Sequence, residues 1–214
     1  MRSLPVFYYR ENFQELLAFV VEHYQPVLSE ARIACLQSFE RLPSAAQCLY
    51  IRLLNRQGTV FELPKLRYPE LGALAERINE LKAAGFVQTL SSGDLGDVLA
   101  CLPKASIIEC ADDSAIKRAW TKSTCIEHVI RHVPTDRFLS NAARFDLVRI
   151  ANEDTFEFCK FLYFGRIAKG TSPITLRDLG VVRANEFEEF EARFESRRDA
   201  EAAYFFAKSR CRLH

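Results

Sequence analysis

Apolar residues near the start of the chain recur with the spacing of amphipathic α-helices. Three segments follow one another, each with apolar positions at intervals of three and four residues. Asn12, Ser29 and Ser44 precede these segments, and such residues favour the N-cap because their side chains accept hydrogen bonds from the first helical turn. Pro43 and Gly58 follow the second and third segments and disfavour continuation of the helix. The pattern therefore predicts three packed helices, over residues 12–24, 29–42 and 44–57.

The pattern changes between residues 59 and 90, where two short β-favouring runs flank another amphipathic segment. Residues 59–63 and 86–90 have the composition of short strands. Residues 70–84 between them have helical periodicity and are followed by Gly85. Helices and a small strand pair in this order predict a winged-helix-like module over residues 29–90.

Helical segments beyond residue 92 are shorter and are separated by turns. Ser-Ser-Gly-Asp at residues 91–94 indicates a linker, and Pro134 ends the run of short segments. Longer helical patterns begin at Phe138 and are interrupted by a loop at residues 169–173. The candidate helices span residues 95–102, 105–111, 124–132, 155–164 and 198–210. The sequence thus predicts a mainly α protein with three regions, residues 1–91, 92–134 and 135–214.

The composition is that of a folded protein, with 49% hydrophobic and 27% charged residues. The net charge is only +1, so binding to nucleic acid requires a local cluster of basic residues. The N-terminus lacks the apolar core of a secretory signal, and the seven cysteines include no C-x-x-C pair. We therefore expect a soluble intracellular protein without disulfides or a zinc ribbon.

No motif for catalysis is recognisable in the chain. The Glu-x-Lys of restriction-like, metal-dependent nucleases occurs once, at Glu80-Leu81-Lys82, but within a helical pattern rather than on a strand. Walker, nucleophile-elbow and dinucleotide-binding motifs do not occur, and the dispersed cysteines have no local nucleophile signature. We therefore predict no catalytic residue and no cofactor in this chain.

One group of residues leaves a metal site open as an alternative. Cys125, His128 and His132 recur at i, i+3 and i+7, and zinc-binding helices use the i, i+4 spacing of the two histidines. However, the glutamate of the zinc-protease motif does not follow His128, and no second cysteine-histidine pair lies nearby. Two surface histidines are the favoured interpretation, and a small metal enzyme is the alternative.

Basic residues interleaved with tyrosines form the clearest functional signal. Lysine and arginine bind phosphates, while tyrosine donates hydrogen bonds and stacks on unpaired bases. A first patch contains Tyr50, Arg52, Arg56, Lys65, Arg67 and Tyr68. A second patch contains Lys117, Arg118, Lys122 and Arg131. The alternative interpretation of both patches is a set of solvated surface charges.

Three segments resemble the N-terminal half of the Fanconi-associated nuclease family in its bacterial form. They are YYRENF at residues 8–13, LPSAAQCLYIRLLNR at residues 42–56 and KLRYPE at residues 65–70. The resemblance is specific over residues 8–90 and looser beyond them. It implies a winged-helix-like region, a SAP-type DNA-binding module over residues 93–133 that departs from the usual SAP pattern, and a helical-repeat (TPR-like) region. In the family, a virus-type replication-repair nuclease domain follows.

The resemblance also implies a function. The chain would recognise branched, flapped or nicked duplex DNA for 5′-flap incision in interstrand cross-link repair, in the cytoplasm at the bacterial nucleoid. The family's nuclease domain uses a divalent metal, Mg²⁺ or Mn²⁺, and these 214 residues do not include its motif. We therefore expect a fragment, a truncated product or a stand-alone relative that binds DNA without cutting it. The alternative is a helical protein-interaction scaffold that does not bind DNA.

Overall fold

The computed structural model describes residues 7–167 and 192–212, and these residues confirm the prediction of a mainly helical protein. The described helices are α1 (Tyr8–Tyr24), α2 (Glu30–Glu40), α3 (Ser44–Leu54), α4 (Leu74–Ala83), α5 (Leu95–Cys101), α6 (Lys104–Ala111), α7 (Lys122–His132), α8 (Thr135–Ala142), α9 (Glu153–Phe164) and α10 (Arg197–Arg212). The described strands are β1 (Val60–Glu62), β2 (Val87–Gln88) and β3 (Leu147–Ile150). The predicted loop at residues 169–173 lies outside the described residues. No described helix has both the length and the hydropathy that a membrane span requires.

The chain folds into two compact units, each built from separate stretches of sequence. The first, here called the helical unit, contains the described residues 7–56, 70–84, 152–167 and 192–212. The second, the mixed unit, contains residues 57–69 and 85–151 and includes all three described strands. The boundaries between the two units do not fall at residues 91 and 134. The division into two DNA-binding regions, residues 1–91 and 92–134, and a helical region, residues 135–214, stays a prediction.

Aromatic side chains form the centre of the helical unit. The ring of Phe156 on α9 lies 5.7 Å from that of Phe13, 5.1 Å from that of Phe39 and 5.3 Å from that of Tyr50. All four side chains are completely buried or nearly so. Because edge-to-face aromatic pairs add about 0.5–1.5 kcal/mol beyond the burial of their area, this cluster fixes the packing of α1, α2, α3 and α9.

Two of the three predicted N-caps are wrong. Helix α1 begins at Tyr8, and Asn12 is a buried residue within it, because Tyr9 is also buried and extends the apolar face by one turn. Helix α3 begins at Ser44, so Pro43 is its N-cap residue, and no side chain caps this helix. The Ser29 cap is confirmed, since its hydroxyl accepts a hydrogen bond of 3.2 Å from the Arg32 amide.

Both predicted strands exist, but each pairs with a third strand that lies between them. The sheet has the order β1-β3-β2 and is antiparallel throughout, with Phe61 opposite Val148 and Val87 opposite Ile150. The sequence indicated helices in the region of β3. Asp146 and Asn152, both with positive φ, lie before and after this four-residue strand, and these residue types tolerate that conformation better than most.

Helices α5, α6 and α7 confirm the three predicted short helices. Together with α8, for which no short helix was predicted, they supply the core of the mixed unit. Val98, Ile107, Val129 and Phe138 come from the four helices in turn and are completely buried. This packing places the segment between α6 and α7, residues 112–121, at the surface of the unit. That segment carries two residues of the second basic patch.

Candidate nucleic-acid interface

Arg52 of the first patch is engaged by an aromatic ring and a carboxylate. Its guanidinium lies 4.3 Å from the centre of the Tyr9 ring, and its Nη2 lies 3.2 Å from Oε1 of Glu70. Burial raises the pKa of Tyr9 to about 12, although the nearby positive charge of Arg52 acts in the opposite direction. Arg52 therefore links α1 and α3 to Glu70 within the helical unit, while about 40% of its side chain stays exposed.

Tyr50 is not available as a DNA contact in this structure. It is completely buried in the aromatic centre of the helical unit, and burial raises its pKa well above the usual value. Its position in the apolar stripe of α3 outweighs the polarity of its hydroxyl. Arg56, which follows α3, is exposed.

The remaining residues of the first patch follow β1 in the mixed unit. The Lys65 ammonium lies 2.5 Å from Oε1 of Glu62, whose side chain is only 9% exposed. Arg67 donates to the carbonyl oxygens of Pro64 and Leu66. Tyr68 is half-buried. The first patch is therefore divided between the two units, and several of its charges already have partners.

Lys117 and Arg118 of the second patch lie in the surface segment between α6 and α7. Both side chains are exposed, and neither forms a salt bridge with any of the described residues. Lys104 of α6 donates to the carbonyl oxygens of Arg118, at 2.9 Å, and Trp120, at 3.0 Å. Lys104 thus holds the backbone of the segment that presents the two free charges, a role that no sequence pattern indicates.

The other two residues of the second patch lie on α7. Lys122 donates to the Ala100 carbonyl oxygen at 2.8 Å and therefore joins the start of α7 to α5. Arg131 is exposed in the last turn and has no salt-bridge partner in the part of the chain that the structure describes. The mixed unit brings all four predicted residues onto one helix and the segment preceding it.

The alternative metal site does not form. Cys125 is completely buried in the core of the mixed unit, whereas His128 shares a hydrogen bond of 2.8 Å between its Nε2 and Oδ2 of Asp113. That hydrogen bond holds the pKa of Asp113 below its usual value. Among the described residues, no group of three or more His, Cys, Asp and Glu side chains is arranged to hold a metal ion.

The single Glu-x-Lys also lacks the geometry of a nuclease site. It lies on α4, where Leu81 is buried and Oε2 of Glu80 lies 2.8 Å from Nε of Arg77. The described residues therefore do not fit a divalent nuclease metal, and we derive no hydrolytic step from them.

Comparisons with known proteins identify relatives over almost the whole chain. Residues 7–88 match the family model described as FAN1, HTH domain. The chain is 28% identical over 201 residues to the Fanconi-associated nuclease 1 homolog of Pseudomonas aeruginosa, an alignment that covers 92% of this chain and 36% of that protein. It is 36% identical over 100 residues to Fanconi-associated nuclease 1 of Danio rerio, which covers 45% of this chain and 10% of that protein.

Two crystal structures of paFAN1 have the same fold as this chain. One is bound to 2-nt 5′-flap DNA with a gap, with a TM-score of 0.81 and 28% identity over 99% of this chain. The other is bound to 1-nt 5′-flap DNA with a gap, with a TM-score of 0.81 and 26% identity over 98% of this chain. Each match covers 40% of the paFAN1 chain, so this chain spans well under half the length of such relatives.

Proposed function

The chain is similar to the N-terminal part of the Fanconi-associated nucleases, as its sequence motifs predict, and from this premise we propose that it is the DNA-recognising part of a repair nuclease. The observation that carries the proposal is the structural match over 99% of the chain to a protein crystallised with 5′-flap DNA. Flapped, nicked or branched duplexes in cross-link repair are the proposed substrates.

The proposed contacts are to phosphates and lie in the mixed unit. Residues 93–133, the proposed SAP-type module, belong entirely to this unit. Lys117, Arg118 and Arg131 present exposed charges there without acidic partners among the described residues. Since lysine and arginine bind phosphate oxygens irrespective of base sequence, these charges favour recognition of DNA structure over DNA sequence.

Incision requires groups other than the described residues. Phosphodiester hydrolysis of the restriction-like type needs carboxylates that hold Mg²⁺ or Mn²⁺ near the scissile phosphate. The described residues contain no such cluster. We therefore propose that this chain binds DNA and that cutting belongs to a nuclease domain of the type its relatives are named for.

Fluorescence anisotropy with labelled DNA tests the proposal directly. A 5′-flapped duplex and a continuous duplex of equal length are titrated with the protein at low and at raised salt. We expect binding at low salt that weakens as salt rises, because phosphate contacts release counterions, and tighter binding to the flapped duplex. Absence of binding to either DNA at both salt concentrations would overturn the proposal.

One observation favours protein binding as a second candidate function. Phe205 and Phe206 are adjacent on α10, and they are 66% and 67% exposed. Exposed aromatic side chains are enriched in protein interfaces. If the chain is a protein-interaction scaffold, the anisotropy titration shows no DNA binding. The only effect of the double substitution Phe205→Ser and Phe206→Ser is then on self-association or on the capture of a protein partner.

A further inference from the structure

Trp120, the only tryptophan of the chain, lies beside two histidines on the surface of the mixed unit. Its ring centre is 5.4 Å from that of His128, which is 4.7 Å from that of His132. These rings border a surface cavity of about 160 Å³. The cavity is lined by Trp120, Thr124, Glu127, His128, Arg131 and His132.

The cavity is too small for most whole ligands but suits a single flat ring. Drug-sized ligands occupy pockets of roughly 300–1,000 Å³, well above the 160 Å³ found here. The Trp120 and imidazole rings offer π-faces, while Thr124 and Glu127 offer oxygen atoms that accept hydrogen bonds from ring amino groups. Because the Glu127 carboxylate offsets the positive charge of Arg131 in the same lining, the lining favours a nitrogen-containing ring over an isolated phosphate.

Two features hold this lining in place. His128 shares its 2.8 Å hydrogen bond with Asp113, which fixes the orientation of the central imidazole. The Trp120 ring packs against the core of the unit. The Lys104 ammonium donates a hydrogen bond of 3.0 Å to the backbone carbonyl oxygen of Trp120. A preorganised stacking surface costs less conformational entropy when a ligand binds.

Free cations lie immediately beside the cavity. The Trp120 amide donates to the Lys117 carbonyl oxygen at 3.0 Å, which closes a turn and keeps the two Cα atoms within about 7 Å. Arg118 lies within the same turn, and Arg131 lines the cavity itself. Aromatic rings flanked by cations are the usual means of binding single-stranded nucleic acid, because bases stack and phosphates pair with the charges.

We propose that this cavity, here called the base site, receives one unpaired base of single-stranded DNA, with Lys117 and Arg118 binding the neighbouring phosphates. The inference rests on the proposed DNA-binding function and makes it more specific. The base site responds to an unpaired segment, such as a flap or a gap, and gives the mixed unit a preference that phosphate contacts alone do not provide.

The single tryptophan gives a direct readout without any substitution. Intrinsic fluorescence of the wild-type protein is titrated with a short single-stranded oligonucleotide, and anisotropy of a labelled copy reports binding independently. The control is an abasic oligonucleotide of the same length and charge. We expect saturable quenching by the base-containing strand and none by the abasic strand, which binds through its phosphates only.

The two readouts separate the possible failures. Binding by anisotropy with unchanged tryptophan fluorescence, or equal quenching by the abasic strand, overturns the base site and leaves DNA binding standing. No binding by anisotropy to any single-stranded or duplex DNA overturns both proposals. Tryptophan quenching that saturates together with the anisotropy signal, and that the abasic strand does not produce, supports the base site.

Variants test the base site from the side of the protein. Trp120→Leu keeps an apolar side chain against the core but removes the aromatic face, and His132→Ala removes an exposed ring. We expect the Trp120→Leu variant to bind single strands about 5- to 100-fold more weakly, with less than about twofold change for continuous duplex. Trp120→Phe is the matched control and restores most of the affinity. If Trp120→Leu shifts the thermal transition, the His132→Ala variant is used as the test instead. Unaltered affinity of the His132→Ala variant for single strands overturns the base site.

Discussion

Three basic side chains of the helical unit and three of the mixed unit differ in their surroundings. In the helical unit, Arg32 lies 4.0 Å from the Phe158 ring centre and pairs with Asp154 at 3.3 Å and with Glu201 at 2.8 Å. Arg52 is held in a similar way by Tyr9 and Glu70, and Lys208 by Asp154 and Glu157. In the mixed unit, Lys117, Arg118 and Arg131 have no salt-bridge partner among the described residues.

The difference shows that the number of basic residues in a segment does not measure the charge available to a ligand. A paired arginine stabilises its own unit, and binding a phosphate would first require breaking that pair. An unpaired surface arginine or lysine loses only hydration and side-chain entropy when it binds. We therefore expect substitutions of paired residues, such as Arg52, to change stability and substitutions in the second patch to change DNA affinity.

The largest effect is expected from the triple substitution Lys117→Ala, Arg118→Ala and Arg131→Ala. If each side chain binds a phosphate with about 1 kcal/mol, affinity for a flapped duplex falls by about 100-fold at low salt. The thermal transition stays almost unchanged because none of the three side chains supports the core. Anisotropy and circular dichroism measure the two quantities.

The matched control removes three positive charges elsewhere. Arg41, Lys82 and Arg198 are exposed residues of the helical unit that lie outside both patches. The corresponding triple alanine variant changes the net charge equally and is expected to keep most of the affinity. A similar loss in both variants would mean that overall charge, and not the second patch, determines binding.

Arg52→Ala is expected to act mainly on stability. Loss of the Tyr9 contact and the Glu70 pair lowers the free energy of unfolding by about 1–2 kcal/mol, while DNA affinity changes by less than about threefold. Urea denaturation and anisotropy on the same preparation measure both. Strongly weakened binding with an unchanged denaturation midpoint would contradict this role and restore Arg52 as a DNA contact.

Lys160→Met is expected to stabilise the helical unit by about 1 kcal/mol at neutral pH. Lys160 is only 3% exposed, its ammonium has a 3.5 Å hydrogen bond to Asn55, and burial lowers its pKa below 10.5. The unfolded chain therefore binds more protons between the lowered pKa and 10.5, and wild-type stability rises with pH across that window. The stability difference between variant and wild type should shrink as pH rises through it.

Denaturation of both proteins at several pH values tests this sign. A difference that stays constant across the window would show that the charge of Lys160 is not the source of the effect. Destabilisation by methionine at every pH would show that the hydrogen bond to Asn55 outweighs the burial of the charge.

Lys104→Met should have the smallest effect. It removes two hydrogen bonds that hold the backbone at Arg118 and Trp120, so the free charges lose a fixed position but remain present. We expect affinity for flapped DNA to fall by about two- to threefold with little change in stability. An effect as large as that of the triple variant would identify Lys104 as a direct phosphate contact.

The elements that local periodicity defines could be predicted from the sequence, whereas those that depend on distant partners could not. Helices α4, α7 and α9 lie where the apolar spacing places them. Strand β3 was missed because it has four residues and its partners, β1 and β2, lie far away in sequence. A short strand of this kind is specified by pairing rather than by its own pattern.

The same limit applies to the candidate site. The pattern located Arg52 and Lys122 as basic residues, but the groups that engage them, Glu70 and the Ala100 carbonyl oxygen, are 18 and 22 residues away. Tyr50 was included in the first patch because tyrosine can hydrogen-bond and stack, although its position in α3 belongs to the apolar stripe. Trp120 was overlooked, and the signal that could have identified it was a lone tryptophan two residues after Arg118.

The salt dependence of binding to a flapped duplex tests the central claim most directly, because it counts the phosphate contacts made by the second patch. The slope of log affinity against log salt changes by about 0.9 for each phosphate contact to duplex DNA. We expect the slope of the Lys117, Arg118 and Arg131 triple variant to be about 2.7 smaller in magnitude than that of the wild type. The slope of the control triple variant should equal the wild-type value. Identical slopes for all three proteins would contradict the account.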